Sequence, residues 1–250
     1  MKKRNEKVNA AIIVIGNEIL SGRTQDTNVI TIANWLNDLG VKLEEVRIIP
    51  DIENIIIKTI NEVRKKFNYI FTTGGIGPTH DDITASSISK AFKTKYGYHN
   101  EAYQILEKYY GKEKFNEGRK KMAKMPIKSL LILNPSSGAP GFIMENVYSL
   151  PGVPSILKSM LGGLKNNIKG GKKIISKTIT MKTVESEIAK PLKNIQNQFK
   201  NLEIGSYPFF RLGRVGVSLV IRSVESKKIN LCVKKIIQLA NKKNIKIIKR

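Results

Sequence analysis

Apolar positions along the chain follow two rhythms. Ala10-Ala11-Ile12-Ile13-Val14-Ile15 is a short continuous apolar run ended by Gly16, and such a run between polar residues predicts a strand buried on both faces. From Asn28 to Leu39 the apolar residues instead fall at helical spacing, at Val29, Ile32, Ala33, Leu36 and Leu39, and Gly40 closes the helix. Val41 to Ile49 reads as a second strand, stopped by Pro50-Asp51. Ile52, Ile55, Ile56, Ile60 and Val63 make one helical stripe over 52–66, and Tyr69 to Thr73 is a third strand cut off by Gly74-Gly75. Thr84 to Phe92 begins another helix, 100–125 holds one or two more, and strands return at Leu130–Leu133 and Val147–Leu150. With each strand followed by a helix, the pattern predicts an α/β domain whose parallel sheet is covered on both faces. Ligands of such sheets sit beyond the carboxyl ends of the strands, which is where the unusual residues of this chain gather.

Lys169-Gly170-Gly171-Lys172-Lys173 reads as a linker. Beyond it the order becomes β (174–182), α (185–199), β (202–208), β (215–224), α (228–243), which fits a small α+β unit. The expected division is therefore 1–168 and 174–250.

Composition narrows the function. The 250 residues are 41% hydrophobic and 26% charged, an ordinary globular mix. A single cysteine, Cys232, excludes a disulfide framework and a multi-cysteine metal cluster, and two histidines, His80 and His99, exclude a His-rich zinc site. No apolar run approaches the roughly 20 residues that span a bilayer. The basic start, Met1 to Lys7, lacks the core of a signal peptide, so the expected compartment is the cytoplasm and no membrane partner is expected. The net charge of +24 is uneven: residues 151–250 carry 22 Lys and Arg against 4 Asp and Glu. A basic tail can hold polyanions by counterion release. Yet 35 of the 44 basic residues are Lys, and Arg is the group favoured for bidentate phosphate and base recognition. That balance favours compositional drift over a nucleic-acid partner.

The strongest motif is Thr72-Thr73-Gly74-Gly75-Ile76-Gly77-Pro78-Thr79-His80-Asp81-Asp82-Ile83-Thr84, set between a buried strand and a helix. Glycines there let backbone N–H groups approach an anion, and the following helix adds its positive end. Thr73 and Thr79 offer hydroxyls to phosphate oxygens. Asp81 and Asp82 would repel phosphate unless a cation lay between, which suits a divalent metal of the Mg, Mn or Co type held by Asp81 and Asp82. The structural alternative is a tight turn with Asp82 as helix cap.

A second loop, Gly16 to Asn28, is dense in polar residues; it either lines a site or runs over the surface with Asp26 or Asn28 capping the next helix. Asp51 is likewise a cap candidate, with Glu53 in the following turn. The stretches Asn134 to Gly141 and Pro151 to Pro154 are explained by turn chemistry as well as by a ligand.

The strings GNEILSGR (16–23), TTGGIGPTHDDIT (72–84), APGF (139–142) and LPGVP (150–154), in this order and spacing, resemble the molybdopterin-binding, MoaB/Mog-like domain. Within it they are most similar to the branch that forms the N-terminal part of CinA, the competence/damage-inducible protein. The N-terminal half of eukaryotic FAD synthetase is similar too. The match covers about 8–168. The tail is similar to the KH-like module that follows in CinA, and Gly205-Ser206-Tyr207-Pro208 is similar to a string in the FAD synthetase relatives. The chain ends at Arg250 before a CinA-type deamidase or an adenylyl-transferring domain, so neither activity is expected.

The resemblance implies a three-layer αβα MogA-like domain with a mostly parallel sheet, followed by a small KH-like domain, with a pterin- or nucleotide-phosphate site at the strand ends. It implies either service to molybdenum cofactor assembly or metal-dependent hydrolysis of nucleotide pyrophosphates such as ADP-ribose or FAD. Carried over by motif, Asp82 and Asp51 match the essential aspartates, and Gly74, Gly75 and Gly77 the phosphate-cradling glycines. Thr84 matches the hydroxyl that begins the helix. Glu18 and Asp26, with Gly16, match the first loop. The loop lacks the arginine that precedes the aspartate in MogA-like proteins, which favours the CinA-like branch.

The leading expectation is a pyrophosphatase in which Asp82 and Asp81 hold metal and Asp51 is a ligand or base. The Gly74–Gly77 amides and Thr73 would stabilise phosphate charge. One alternative is a molybdopterin carrier without hydrolysis. Another is RNA binding through the basic tail, where Tyr207, Phe209 and Phe210 could stack bases or close a small core, and where Gly213-Arg214-Val215-Gly216 lies on a strand instead of between two helices. A homodimer or trimer is expected.

Overall fold

The structure, a computed structural model, describes residues 8–211 and 214–249. The basic start 1–7 and Gly213 of the G-x-x-G string lie outside the described residues. The chain divides into two compact units, Met1–Gly171 and Lys172–Arg250.

In the first unit β1 (Asn9–Ile15) runs into a one-turn helix α1 (Asn17–Leu20), then α2 (Asn28–Asp38), β2 (Lys42–Ile49), α3 (Glu53–Val63), β3 (Tyr69–Thr73) and α4 (Thr84–Ala91). There follow β4 (Tyr96–Tyr98), α5 (Asn100–Tyr110), α6 (Glu117–Lys121), β5 (Lys124–Pro126), β6 (Leu130–Ile132), β7 (Gly141–Met144), β8 (Val147–Leu150) and α7 (Pro154–Leu161). The main sheet has the order β2-β1-β3-β8-β7-β6. Its first four strands are parallel, while β7 is antiparallel to both of its neighbours.

The apolar run of β1 explains the three layers. Side chains of a strand alternate between faces. Ala11, Ile13 and Ile15 therefore pack with Ile56, Ile60 and Val63 of α3 and Ile88 of α4. Ala10, Ile12 and Val14 pack with Ile32 and Leu36 of α2 and Leu157 and Met160 of α7 on the other side. Ile12, Ile13 and Ile15 are essentially without exposure, and each such burial contributes roughly 1.5–3 kcal/mol. The α/β domain with helices on both faces of a mostly parallel sheet is thus as expected.

Two departures are local. β7 begins at the Pro140-Gly141 turn, and only its first residue falls in the loop expected over Asn134 to Gly141; β6, β7 and β8 form an antiparallel meander where strand–helix alternation was expected. Residues 96–98 and 124–126 pair as a small separate ribbon, and its Met125 buries with Leu106, Phe115 and Ala123 in the same core that Ala11, Ile13 and Ile15 of β1 enter.

Because β2 and β3 flank β1, the strand order reverses at β1. The loops after β1 and β3 therefore face one crevice at the carboxyl end of the sheet, where doubly wound sheets bind ligands.

The second unit holds β9 (Ile175–Met181), α8 (Glu185–Gln198), β10 (Glu203–Arg211), β11 (Arg214–Ser223), α9 (Ser226–Lys242) and β12 (Ile247–Lys249). Its sheet has the order β10-β11-β9-β12 and all its pairings are antiparallel. The expected β-α-β-β-α order is present, and β12 adds a sixth element that turns the KH-like order into the split βαβ plan. Ile179, Met181, Val217, Leu219 and Ile221 face a core closed by Ile188 and Ile195 of α8 and Ile229, Cys232 and Ile236 of α9.

Candidate functional site

A cleft of about 540 Å³ opens at the carboxyl ends of β1 and β3. Its floor is Val14, Ile15 and Thr73, one wall is Glu18 to Asn28, and another is Gly74 to Pro78 with Asp82. Asn134 to Pro140 and Pro151 to Ile156 complete it, with Met122 from beyond α6.

The glycine loop is held open by close backbone approaches. Gly74 has φ +96°, and a Cβ there would lie 2.2 Å from the carbonyl oxygen of Ile15 at the end of β1. Gly75 has φ +67°, and its Cβ would lie 2.1 Å from Thr84 Oγ1. Only glycine adopts these geometries beside such neighbours without strain. Gly74 N–H is spent on Leu150 O at 3.1 Å. The N–H groups of Gly75, Ile76 and Gly77 meet no acceptor among the described residues. Three successive free amides are the kind of backbone arrangement from which anion-binding loops are built.

Asp82 closes this loop. Its Oδ2 accepts from Thr79 N at 2.7 Å and from Thr79 Oγ1 at 2.5 Å, and its carboxylate packs against Gly77. The helix-cap alternative is not realised, since Ile83 occupies the cap position of α4 with no side-chain cap bond. Lys121 Nζ donates to Thr79 O, which ties α6 to the loop. The Thr79 hydroxyl, then the backbone N–H of Asp81 itself, hold the Asp81 carboxyl below its ordinary value.

Of the residues marked in the sequence, Glu18, Asp26, Thr73, Gly74, Gly75, Gly77 and Asp82 line the cleft, while Gly16, Asp51, Thr79, Asp81 and Thr84 do not. Gly16 is buried behind the Glu18 carboxylate, and Thr84 lies beneath Gly75. Asp81 is exposed and is not part of the cleft lining. Asp51 does not cap α3 and does not reach the cleft wall: its Oδ2 accepts from Asn17 N at 2.8 Å, pinning the loop that carries Glu18. Asp26 accepts from Val29 N at 2.8 Å and so caps α2 while lining the cleft. Asn134 bonds Ser136, Ser137 and Ala139, a closed turn network.

Asn28, which closes the polar loop read either as lining a site or as capping the next helix, is 4% exposed and lines the cleft. Its position after a strand-end polar loop was the available signal. Met122 carried none, since α6 reaches the cleft only through tertiary folding.

The lining holds three carboxylates, Glu18, Asp26 and Asp82, and no Lys, Arg or His, in a chain of net charge +24. Among the described residues no group of three or more His, Cys, Asp or Glu is placed to hold a metal. A cage made entirely of protein ligands therefore does not fit. A magnesium-like ion does, because such ions use one or two carboxylates together with substrate phosphates and water. Asp82 Oδ1 makes no hydrogen bond among the described residues.

In the second unit Tyr207 is 46% and Phe210 74% exposed, so these aromatics do not close the core. No helix among the described residues is long and apolar enough to cross a membrane.

Residues 11–169 match the family model described as "Probable molybdopterin binding domain", and residues 173–248 match that described as "FAD synthase, middle domain". A protein of Archaeoglobus fulgidus is 34% identical over 232 residues, covering 93% of this chain and 98% of that one. A Caenorhabditis elegans protein described as "Probable FAD synthase" is 29% identical over 254 residues, covering 91% of this chain and 49% of its own length. The crystal structure of the protein CinA, of unknown function, from Thermoplasma acidophilum superimposes with a TM-score of 0.60 at 32% identity, covering 65% of this chain and 98% of that one.

Proposed function

The chain belongs to the molybdopterin-binding domain family, in its CinA-like form, and from that premise we propose that it hydrolyses nucleotide pyrophosphates of the ADP-ribose or FAD type with the help of a divalent cation. The observation that carries this reading is the mismatch inside the cleft: three free amides at Gly75–Gly77 invite a phosphate, while three carboxylates and no cationic side chain surround it. A phosphate dianion beside Asp82 is tolerated only with a counter-ion between them.

Asp82 is the residue that would hold the cation. When bound, a cation of the Mg, Mn or Co type supplies charge neutralisation and Lewis acidity. The chain's own residues do the rest. The Gly75–Gly77 amides orient the pyrophosphate and stabilise charge growing on its oxygens. Thr79, held by Lys121, fixes the Asp82 carboxylate through two hydrogen bonds. Glu18 is the lining carboxylate free to orient the attacking water, and Asp51 positions Glu18 by holding Asn17 N–H. Water adds to one phosphorus, the bridging P–O bond breaks, and two phosphate monoesters leave; from ADP-ribose these are AMP and ribose 5-phosphate.

The test is release of AMP from ADP-ribose and FAD in Mg, Mn or Co, and in EDTA, beside Asp82→Ala. Cation-dependent AMP release that disappears in Asp82→Ala is expected; a folded, fully active Asp82→Ala protein overturns the assignment. The family match also favours a second reading, a carrier that binds molybdopterin without hydrolysis, in which the same amides hold the pterin phosphate. Tight pterin binding with no turnover of either dinucleotide selects it.

A further inference from the structure

We propose that Asn28 is a specificity-determining residue that accepts a hydrogen bond from a sugar hydroxyl next to the bound phosphate. This rests on the phosphate site proposed above and extends it from the anion to the organic part of the ligand.

The Asn28 amide has a fixed orientation. Nδ2 donates to Gly152 O at 2.7 Å, and turning the amide over would set two carbonyl oxygens face to face. Oδ1 is therefore directed away from that turn. It is buried and meets no donor, although Asn28 lines the cleft. Buried carbonyl oxygens without a partner are uncommon, because such a group has lost its water and gained nothing in exchange. Thr73 Oγ1, on the floor of the same cleft, is also buried and unpartnered. The scaffold thus retains two unsatisfied oxygens where a ligand lies.

Location selects the ligand group. Gly152 abuts the phosphate loop, since a Cβ on it would lie 3.5 Å from Gly74 Cα. Asn28, bonded to Gly152, is one residue's width from the phosphate cradle. In a nucleotide the groups nearest the phosphate are the sugar carbons and their hydroxyls, and a carbonyl oxygen requires a donor. A sugar O–H meets both conditions; a ring N–H at the far end of the nucleotide meets only the second. Oδ1 has almost no surface open to water, so admitting the hydroxyl requires the side chains around it to give way.

The experiment measures binding to the full chain, in Mg²⁺, of ADP, its 2′,3′-dideoxy analogue and inorganic pyrophosphate, for wild type and Asn28→Ala. The expected result is a loss of about tenfold or more in ADP affinity on Asn28→Ala, the cost of one hydrogen bond to a site built for it. Pyrophosphate affinity stays within about twofold, by the same reasoning. The dideoxy analogue binds wild type about as weakly as ADP binds the variant. Equal loss for ADP and pyrophosphate shows a structural role and overturns the inference, as does no loss for either. A dideoxy analogue that binds wild type as well as ADP does moves the donor to the base and overturns the sugar assignment. Wild type that binds none of the three removes the phosphate site and this inference together. Should Asn28→Ala fail to fold, the side-chain 13Cγ resonance of Asn28 in wild type decides: it shifts with ADP and stays with pyrophosphate if Oδ1 accepts from the sugar, and identical behaviour with both overturns it.

Discussion

Replacing Gly75 by alanine tests whether the glycine loop is shaped by sterics in the way the cleft requires. At φ +67° an L-residue costs about 1–2 kcal/mol of backbone strain. The new methyl would also sit 2.1 Å from Thr84 Oγ1 and 3.1 Å from Thr84 Cβ, and Thr84 is fully buried at the start of α4, with no room to retreat. Overpacking of that kind costs about 1–3 kcal/mol, so Gly75→Ala should destabilise the first unit by about 2–5 kcal/mol. For a unit of this size that is a fall of roughly 5–15 °C in Tm. Trp35, the only tryptophan, stands edge-on to Phe71 in the first unit, so its fluorescence follows the right transition. The second half of the test is Thr84→Ala. Thr84 Oγ1 has no partner to lose, so this change alone costs about 1 kcal/mol for the buried methyl. In the double variant the 2.1 Å overlap with Oγ1 is gone, while the 3.1 Å approach to the Cβ of residue 84 and the strain of φ persist, leaving a coupling of about 1–2 kcal/mol. If the two losses simply add, the overlap with Thr84 is not what excludes a side chain at 75, and the account of the loop is wrong.

Asp51→Asn should keep most of the proposed turnover, because an asparagine oxygen can still accept from Asn17 N–H, whereas Asp51→Ala should lower it severalfold; an Asn variant as dead as Asp82→Ala would make Asp51 part of the chemistry. Glu62 is held at about 2, below its ordinary 4.5, first by hydrogen bonds from Arg47 at 2.8 and 3.2 Å and then by Lys66. A depressed carboxylate stabilises the fold above its ordinary value and loses that contribution as pH falls through its folded value. Wild type should therefore lose stability between about pH 4.5 and 2 more steeply than Glu62→Gln in acid titrations followed by circular dichroism; parallel curves would refute the linkage between β2 and α3. Burial pushes the Cys232 thiol up to about 11, so it should stay unreactive toward a disulfide reagent at pH 8 in the folded protein and react fully once unfolded; fast reaction in native buffer would show that the core of the second unit opens.

Much of the architecture was legible because it depends on local periodicity. The run at Ala10–Ile15 has the length of a strand and no polar face, so it had to lie inside a parallel sheet, and the 3.6-residue stripes of α2 and α3 had to cover it. The thirteen residues Thr72–Thr84 marked the cleft because glycines between a buried strand and a helix have few other uses. What escaped was whatever depends on partners distant in sequence. β7 begins with Pro140-Gly141, which reads as turn, and becomes a strand only because β6 and β8 flank it. The β4–β5 ribbon pairs segments about 28 residues apart around a core that no window contains.

The site shows the same division. The sequence by itself determined which residues were at the strand ends, and with them the free amides of the glycine loop. Only tertiary structure decided where each carboxylate points. Asp51, Asp81 and Asp82 are equivalent as letters, yet one is spent on Asn17 N–H, one faces solvent, and one packs against Gly77 at the cleft. Asn28 likewise fitted a helix cap or a site residue equally until the fold brought Gly152 to its Nδ2 and left its Oδ1 without a donor. The reason is physical: a side chain's hydrogen-bonding partner is whichever complementary group the packed backbone brings within 3 Å, and for Asp51 and Asn28 that group lies 34 and 124 positions away.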